Sequence, residues 1–137
     1  MKKLKEIFSK FSFPDEGNIP INDPVLREAI YRAFKGRDYY TGEPITREDM
    51  VIDHIVPRCY GGLDNVYNYV LTSKRVNSTK SDKFDPDAVF GVLYIVSTRY
   101  AKRVLDIMSQ IGDKKKKVEK RKYNFSLELK FQEKNFL

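Results

Sequence analysis

The run DHIVPRCYGGLDNVYNYVLTSKRVNSTKSD, residues 53–82, holds His54, the single histidine of a 137-residue chain, directly after Asp53. Its order of apolar and breaking residues predicts strand, loop, strand and helix over 50–82. MVIDHIV (50–56) is β-branched and apolar, hence a strand. PRCYGGLDN reads as a loop, with Pro57 and the Gly61-Gly62 pair as breakers. NYVLT can return as a second strand, and SKRVNSTKSD reads as a short helix with Ser73 near its cap. Side chains alternate across a strand, so Asp53 and His54 serve one locus only if the chain bends after them, as Pro57 allows.

An imidazole titrates near neutrality and can take a proton from water. A neighbouring carboxylate can hold a hard divalent cation through oxygen, and Asn77 offers an amide oxygen as a second ligand. Such a pair leaves most of an octahedral Mg²⁺ shell to water and a substrate phosphate. Lys80 lies three residues after Asn77 on the same helix face, where it can meet a phosphate. These parts fit hydrolysis of a phosphodiester. They also fit a simpler reading, in which a lone histidine is a hydrogen-bonded structural residue and the asparagines mark turns. The residues alone leave both open.

Outward from this stretch, Leu4, Ile7, Phe8 and Phe11 recur at helical spacing and predict a short amphipathic helix, followed by the loop FPDEGNIPIN. Asp23-Pro24 is a helix start, an N-cap with proline at the first position. From there Val25, Leu26, Ala29, Ile30, Ala33 and Phe34 form one apolar stripe that stops at Gly36. Thr41-Gly42 marks a turn between aromatics. Asp85-Pro86 opens another helix, whose pattern continues through Met108 and Ile111. After it, Tyr123, Phe125, Leu127, Leu129 and Phe131 alternate with polar residues, which predicts an amphipathic strand able to close on the core or join a partner's sheet.

The chain is sized for one domain: N-terminal helices over 1–36, a core over 37–83, and a helix, basic run and terminal strand over 84–137. Its fold class is α+β. A formal charge of +7 makes an acidic partner plausible, but residues 113–122, DKKKKVEKRK, hold seven basic and two acidic side chains and so carry +5 of it. A solvated face explains such a run as readily as a nucleic-acid grip does. Cys59 is the one cysteine, so neither a disulfide framework nor a four-cysteine zinc site can form. MKKLKEIFSKF lacks the apolar core of a signal peptide, and AVFGVLYIV (88–96) is too short to span a bilayer. The chain reads as intracellular and soluble.

Residues 39–83 resemble the HNH endonuclease motif: Asp53, His54, Ile55 and Pro57, then Gly61 and Gly62, then Asn68, Val70, Leu71 and Thr72, then Asn77 and Lys80. With YTGEPI upstream, they are particularly similar to the HNH domains of RNA-guided CRISPR nucleases. The resemblance implies a ββα-metal core. His54 would be the general base, with Asp53 and Asn77 as ligands of a metal, usually Mg²⁺ with Mn²⁺ as a substitute. Asn68 would brace the loop carrying His54, and Arg58, Arg75 and Lys80 are candidates for phosphate contact. Outside the resemblance, Lys114, Lys115, Lys116 and Lys117 of the basic run are candidates for DNA grip or dimerisation. Many HNH proteins add two CxxC pairs around a structural zinc. The matching positions here are Arg37, Tyr40, Ser73 and Val76, which cannot replace thiolates, so no structural zinc is expected and Tyr40 and Val76 are expected to pack instead.

The function implied is a small metal-dependent endonuclease acting on double-stranded DNA. It suits a restriction, phage or mobile-element role, and a homodimer would fit a palindromic site. A DNA-binding or assembly module that keeps the fold without the chemistry is the alternative, and a nuclease acting on RNA a third.

Overall fold

The computed structural model describes residues 12–80 and 85–136, apart from the side chains of Lys80 and 123–136. The helix expected around Leu4 to Phe11 lies outside the described residues.

Helix α1, Pro24–Ala33, begins where its sequence dictates. The Asp23 carboxylate accepts from the Val25 and Leu26 amides, and Pro24 needs no partner for an N–H it lacks. Leu26, Ala29, Ile30, Ala33 and Phe34 of the stripe are buried. Past the helix, Gly36 takes a positive φ of 63° and its amide returns to the Tyr31 carbonyl, which closes the C-terminus.

Strands β1 (Met50–His54) and β2 (Tyr69–Ser73) pair antiparallel, with Met50 opposite Ser73 and His54 opposite Tyr69. A two-stranded ribbon is marginal alone. Here α1 and the short helix α2, Lys74–Lys80, both pack against it. The Ser73 hydroxyl accepts the Val76 amide at the start of α2.

Helix α3, Pro86–Ile95, is capped by Asp85, passes through a π turn at Val96–Tyr100 and continues as α4, Ala101–Phe136. α4 packs along α1. At the π turn Tyr100 stacks on Phe34, with ring centroids 4.2 Å apart and planes 8° from parallel. Val89, Leu93, Val96, Ala101 and Val104 carry the core into this arm.

The terminal strand expected over 123–131 is corrected: those residues continue α4. The alternation there is real, but Lys, Glu, Leu and Gln are strong helix formers, and no proline and no glycine after Gly112 interrupts the run. The strand that would have joined a partner's sheet is thereby removed. Mixed helices and one small antiparallel sheet make the fold α+β. Among the described residues no helix is long and apolar enough to cross a membrane.

Candidate active site

His54 ends β1 opposite Tyr69, and the pairing sets their rings edge to face at 5.5 Å. The imidazole is only 14% exposed, and its Nε2–H donates to Asp64 Oδ1 at 2.8 Å. The ring is therefore fixed on two sides. With Nε2 as the donor, Nδ1 is left with the lone pair.

Asp64 is itself fixed. Its Oδ1 also accepts from Arg58 Nη2 at 2.8 Å, and its Oδ2 accepts the Ile21 amide at 3.1 Å. Partial burial opposes ionisation, but the His54, Ile21 and Arg58 hydrogen bonds outweigh it and hold the carboxyl below its usual range. Arg58, exposed to solvent, thus stands one carboxylate away from the imidazole.

The chain between the strands is built to bring Asp64 back onto His54. After Pro57 it makes a 3₁₀ turn, Arg58–Tyr60, ended by Gly61 at a left-handed φ of 90°. Gly62 then passes so close to the Val56 carbonyl that a Cβ there would overlap its oxygen. Fully buried Asn68 ties the two ends together. Its Oδ1 accepts the Val56 amide at 2.8 Å, and its Nδ2 donates to the Val56 and Leu63 carbonyls at 3.2 and 3.0 Å. Asn65, also buried, caps the next turn through the Tyr67 amide and anchors the segment before α1 by donating to the Pro14 carbonyl and Asn18 Oδ1.

Asp53, one residue before His54, faces a different partner, as strand alternation requires. The Tyr40 hydroxyl donates to its Oδ2 at 3.1 Å. Burial first, and then the charge of Asp53, push the Tyr40 phenol far above its usual range, so it stays a donor. Half-buried Asn77 lies on α2, which packs against β1 and β2. Among the described residues no cluster of three or more His, Cys, Asp or Glu could hold a metal. The available donors are a carboxylate and an amide, an oxygen set suited to a hard divalent cation that keeps most of its waters.

A carboxylate ties the 38–41 turn to the end of β2. Asp38 is buried. Its Oδ1 accepts the Tyr40 and Thr41 amides at 2.8 and 3.3 Å, and its Oδ2 accepts the Thr72 hydroxyl and Ser73 amide at 3.0 and 3.2 Å. Asp38 thus ties this turn to the end of β2 through polar contacts, while the Tyr40 hydroxyl is directed to Asp53.

The remaining expected phosphate-binding residues scatter. Arg75 is exposed and paired with Glu43 at 2.9 Å, and Lys114 to Lys117 lie exposed on α4. The side chain of Lys80 lies outside the described ones. The residues that sequence reasoning missed are Asp38, Asp64 and Asn65. Each is an Asp or Asn in a turn whose decisive partner is at least ten residues away, so nothing local distinguishes it from a solvated turn residue. Asp64 had one faint signal, its place in the loop that follows Asp53-His54.

No curated protein and no solved structure matches the chain. A family model described as HNH endonuclease does, over residues 38–84. That segment contains His54, Arg58, Asp64, Asn68 and Tyr69, though not Ile21, and it indicates nuclease activity in general: the resemblance to the HNH endonuclease family is shown for this third of the chain.

Proposed function

We propose that the protein is a metal-dependent endonuclease that hydrolyses DNA phosphodiester bonds, with β1, β2 and α2 as a ββα-metal core. The observation that carries the reading is the fixed imidazole: the only histidine of the chain, held by Asp64 and Tyr69 on a loop laced by Asn68. The Asp64 carboxylate, itself secured by Arg58 and the Ile21 amide, gives the ring the fixed tautomer and the counter-charge that a general base uses.

In this reading His54 Nδ1 takes the proton of the attacking water as its oxygen bonds to phosphorus. The bond from phosphorus to the 3′ oxygen breaks, leaving a 5′-phosphate and a 3′ alkoxide that takes a proton from solvent water to end as a 3′-hydroxyl. Asp64 holds the ring in the tautomer that presents Nδ1 and stabilises the imidazolium that forms, as the carboxylate of a hydrolase triad does. Asp53 and Asn77 would hold the divalent cation that HNH domains generally use, and Tyr40 orients the Asp53 carboxylate. Bound there, the cation supplies Lewis acidity for the charge that develops at the phosphate and the leaving oxygen. Arg58, already beside Asp64, would meet the phosphate from the solvent side.

Incubating the protein with supercoiled plasmid in Mg²⁺, Mn²⁺ and EDTA tests this. Nicked or linear product in either metal, with 5′-phosphate ends and none in EDTA, is the expected result. DNA bound but left intact in both metals would overturn it.

A further inference from the structure

A cationic cleft lies beside the turn whose Tyr40 donates to Asp53. Lys35 and Arg37, just after α1, Arg99 in the π turn and Arg103 in the first turn of α4 line a cleft of about 390 Å³. Its floor includes Tyr39 and Tyr100, set edge to face at 6.3 Å, with Tyr100 braced by its stack on Phe34. All four cationic residues are exposed.

The grouping is unusual for this chain. Outside the basic run only +2 of the +7 formal charge remains, yet four positive charges from three segments share this one cleft. The one acidic residue that lines it, Asp38, is buried, and both its oxygens are engaged by the 38–41 turn and β2. None of the described ion pairs includes Lys35, Arg37, Arg99 or Arg103. Four cations against one carboxylate leave an excess of three positive charges, and an anionic partner relieves their repulsion.

The guanidinium fork matches phosphate oxygens, and half-buried tyrosines beneath it suit a sugar-phosphate chain. A protein partner would call for exposed apolar anchors. The exposed large apolar residues among those described are Leu63, Phe90, Tyr94 and Val118, and none lines this cleft. The cleft is also coupled to the candidate site: Tyr39 packs edge-on against Tyr40 at 5.3 Å, and Tyr40 donates to Asp53.

We infer that the Lys35, Arg37, Arg99 and Arg103 cleft is an anchor for the phosphodiester backbone of the DNA being cut, beyond the scissile phosphate. The inference rests on the nuclease reading for its substrate, but binding tests it separately. Backbone contacts of this kind raise affinity for any sequence and make it steeply salt-dependent.

The experiment is fluorescence anisotropy of the full chain with a labelled DNA duplex in EDTA, over a series of KCl concentrations. Arg99→Ala/Arg103→Ala should weaken binding at low salt and reduce the slope of log affinity against log salt by about 2, near one unit for each phosphate no longer neutralised. Its circular dichroism should match wild type, and Arg99→Lys/Arg103→Lys should recover the slope. The control Arg32→Ala/Arg47→Ala removes the same charge elsewhere and should keep it. An unchanged slope in the Arg99/Arg103 variant, an equal fall in the control, or no binding by wild type would overturn the inference. Wild-type cleavage with an unchanged Arg99/Arg103 slope would sink the cleft alone. Salt-dependent binding through the cleft without cleavage would sink only the nuclease reading.

Discussion

The Nε2–H of His54 donates to Asp64 Oδ1 across 2.8 Å, and the same oxygen accepts from Arg58. This couples the only imidazole to a carboxylate ten residues on, which folds back over Gly61 and Gly62. Removing Asp64 leaves His54 chemically intact but free to turn. Asp64→Ala is therefore expected to lower the single-turnover cleavage rate at saturating DNA by about 10–100-fold, in line with the loss of a supporting partner. Equal rates for the variant and wild type would show that the pair does not position the base.

Acidification should act on the same carboxylate. The folded-state pKa of Asp64 is depressed, so its contribution to stability is complete above the unfolded value near 4 and is lost as pH falls through the lower folded value. Asp64 is about a third exposed, so solvent screening keeps the contribution under about 1 kcal/mol. Urea unfolding between neutral and acidic pH should show a slightly smaller loss of stability for Asp64→Asn than for wild type. A larger loss in the variant would contradict the direction of the shift.

Asn68 tests the loop itself. Asn68→Ala strands the Val56 amide and carbonyl in a buried setting, where each unsatisfied group costs about 1–3 kcal/mol, and leaves the partly buried Leu63 carbonyl without its donor. The expected destabilisation is about 3 kcal/mol in urea unfolding, with cleavage reduced even where the variant is fully folded. A cost below about 1 kcal/mol would mean that the loop holds its shape without Asn68.

Much of this frame was legible in the chain. Asp23-Pro24 and Asp85-Pro86 announced two helices through caps that need only local residues. The β-branched run before His54 and the NYVLT run announced both strands, because alternation and apolarity are local as well. The end of the chain was not legible in the same way. Its alternating Tyr, Phe and Leu carry a period-two pattern, but a helix already under way from Ala101 extends at one hydrogen bond per residue through good helix formers. Asp38 and Asp64 were hidden for a different reason. Their partners, Thr72 and Ser73 for one and His54, Arg58 and Ile21 for the other, become neighbours only once the sheet is paired and the loop has folded back.

Asp38 makes a prediction of its own. Four hydrogen bonds to one buried carboxylate tie the 38–41 turn to Thr72 and Ser73, and a strong zinc chelator is expected to leave the thermal midpoint unchanged. Asp38→Ala should destabilise by about 2 kcal/mol, since it strands the buried Thr72 hydroxyl and leaves three partly buried amides without their acceptor. A midpoint that falls with the chelator, or an Asp38→Ala protein as stable as wild type, would contradict the carboxylate clasp.

Everything proposed for the site turns on His54 being the base. The direct measurement is the single-turnover rate of plasmid cleavage in Mg²⁺ by wild type and by His54→Ala, with circular dichroism of both. The variant is expected to keep its fold and lose about 10²–10⁴ in rate, the range that general-base catalysis supplies. A folded His54→Ala protein that cuts as fast as wild type would contradict the assignment.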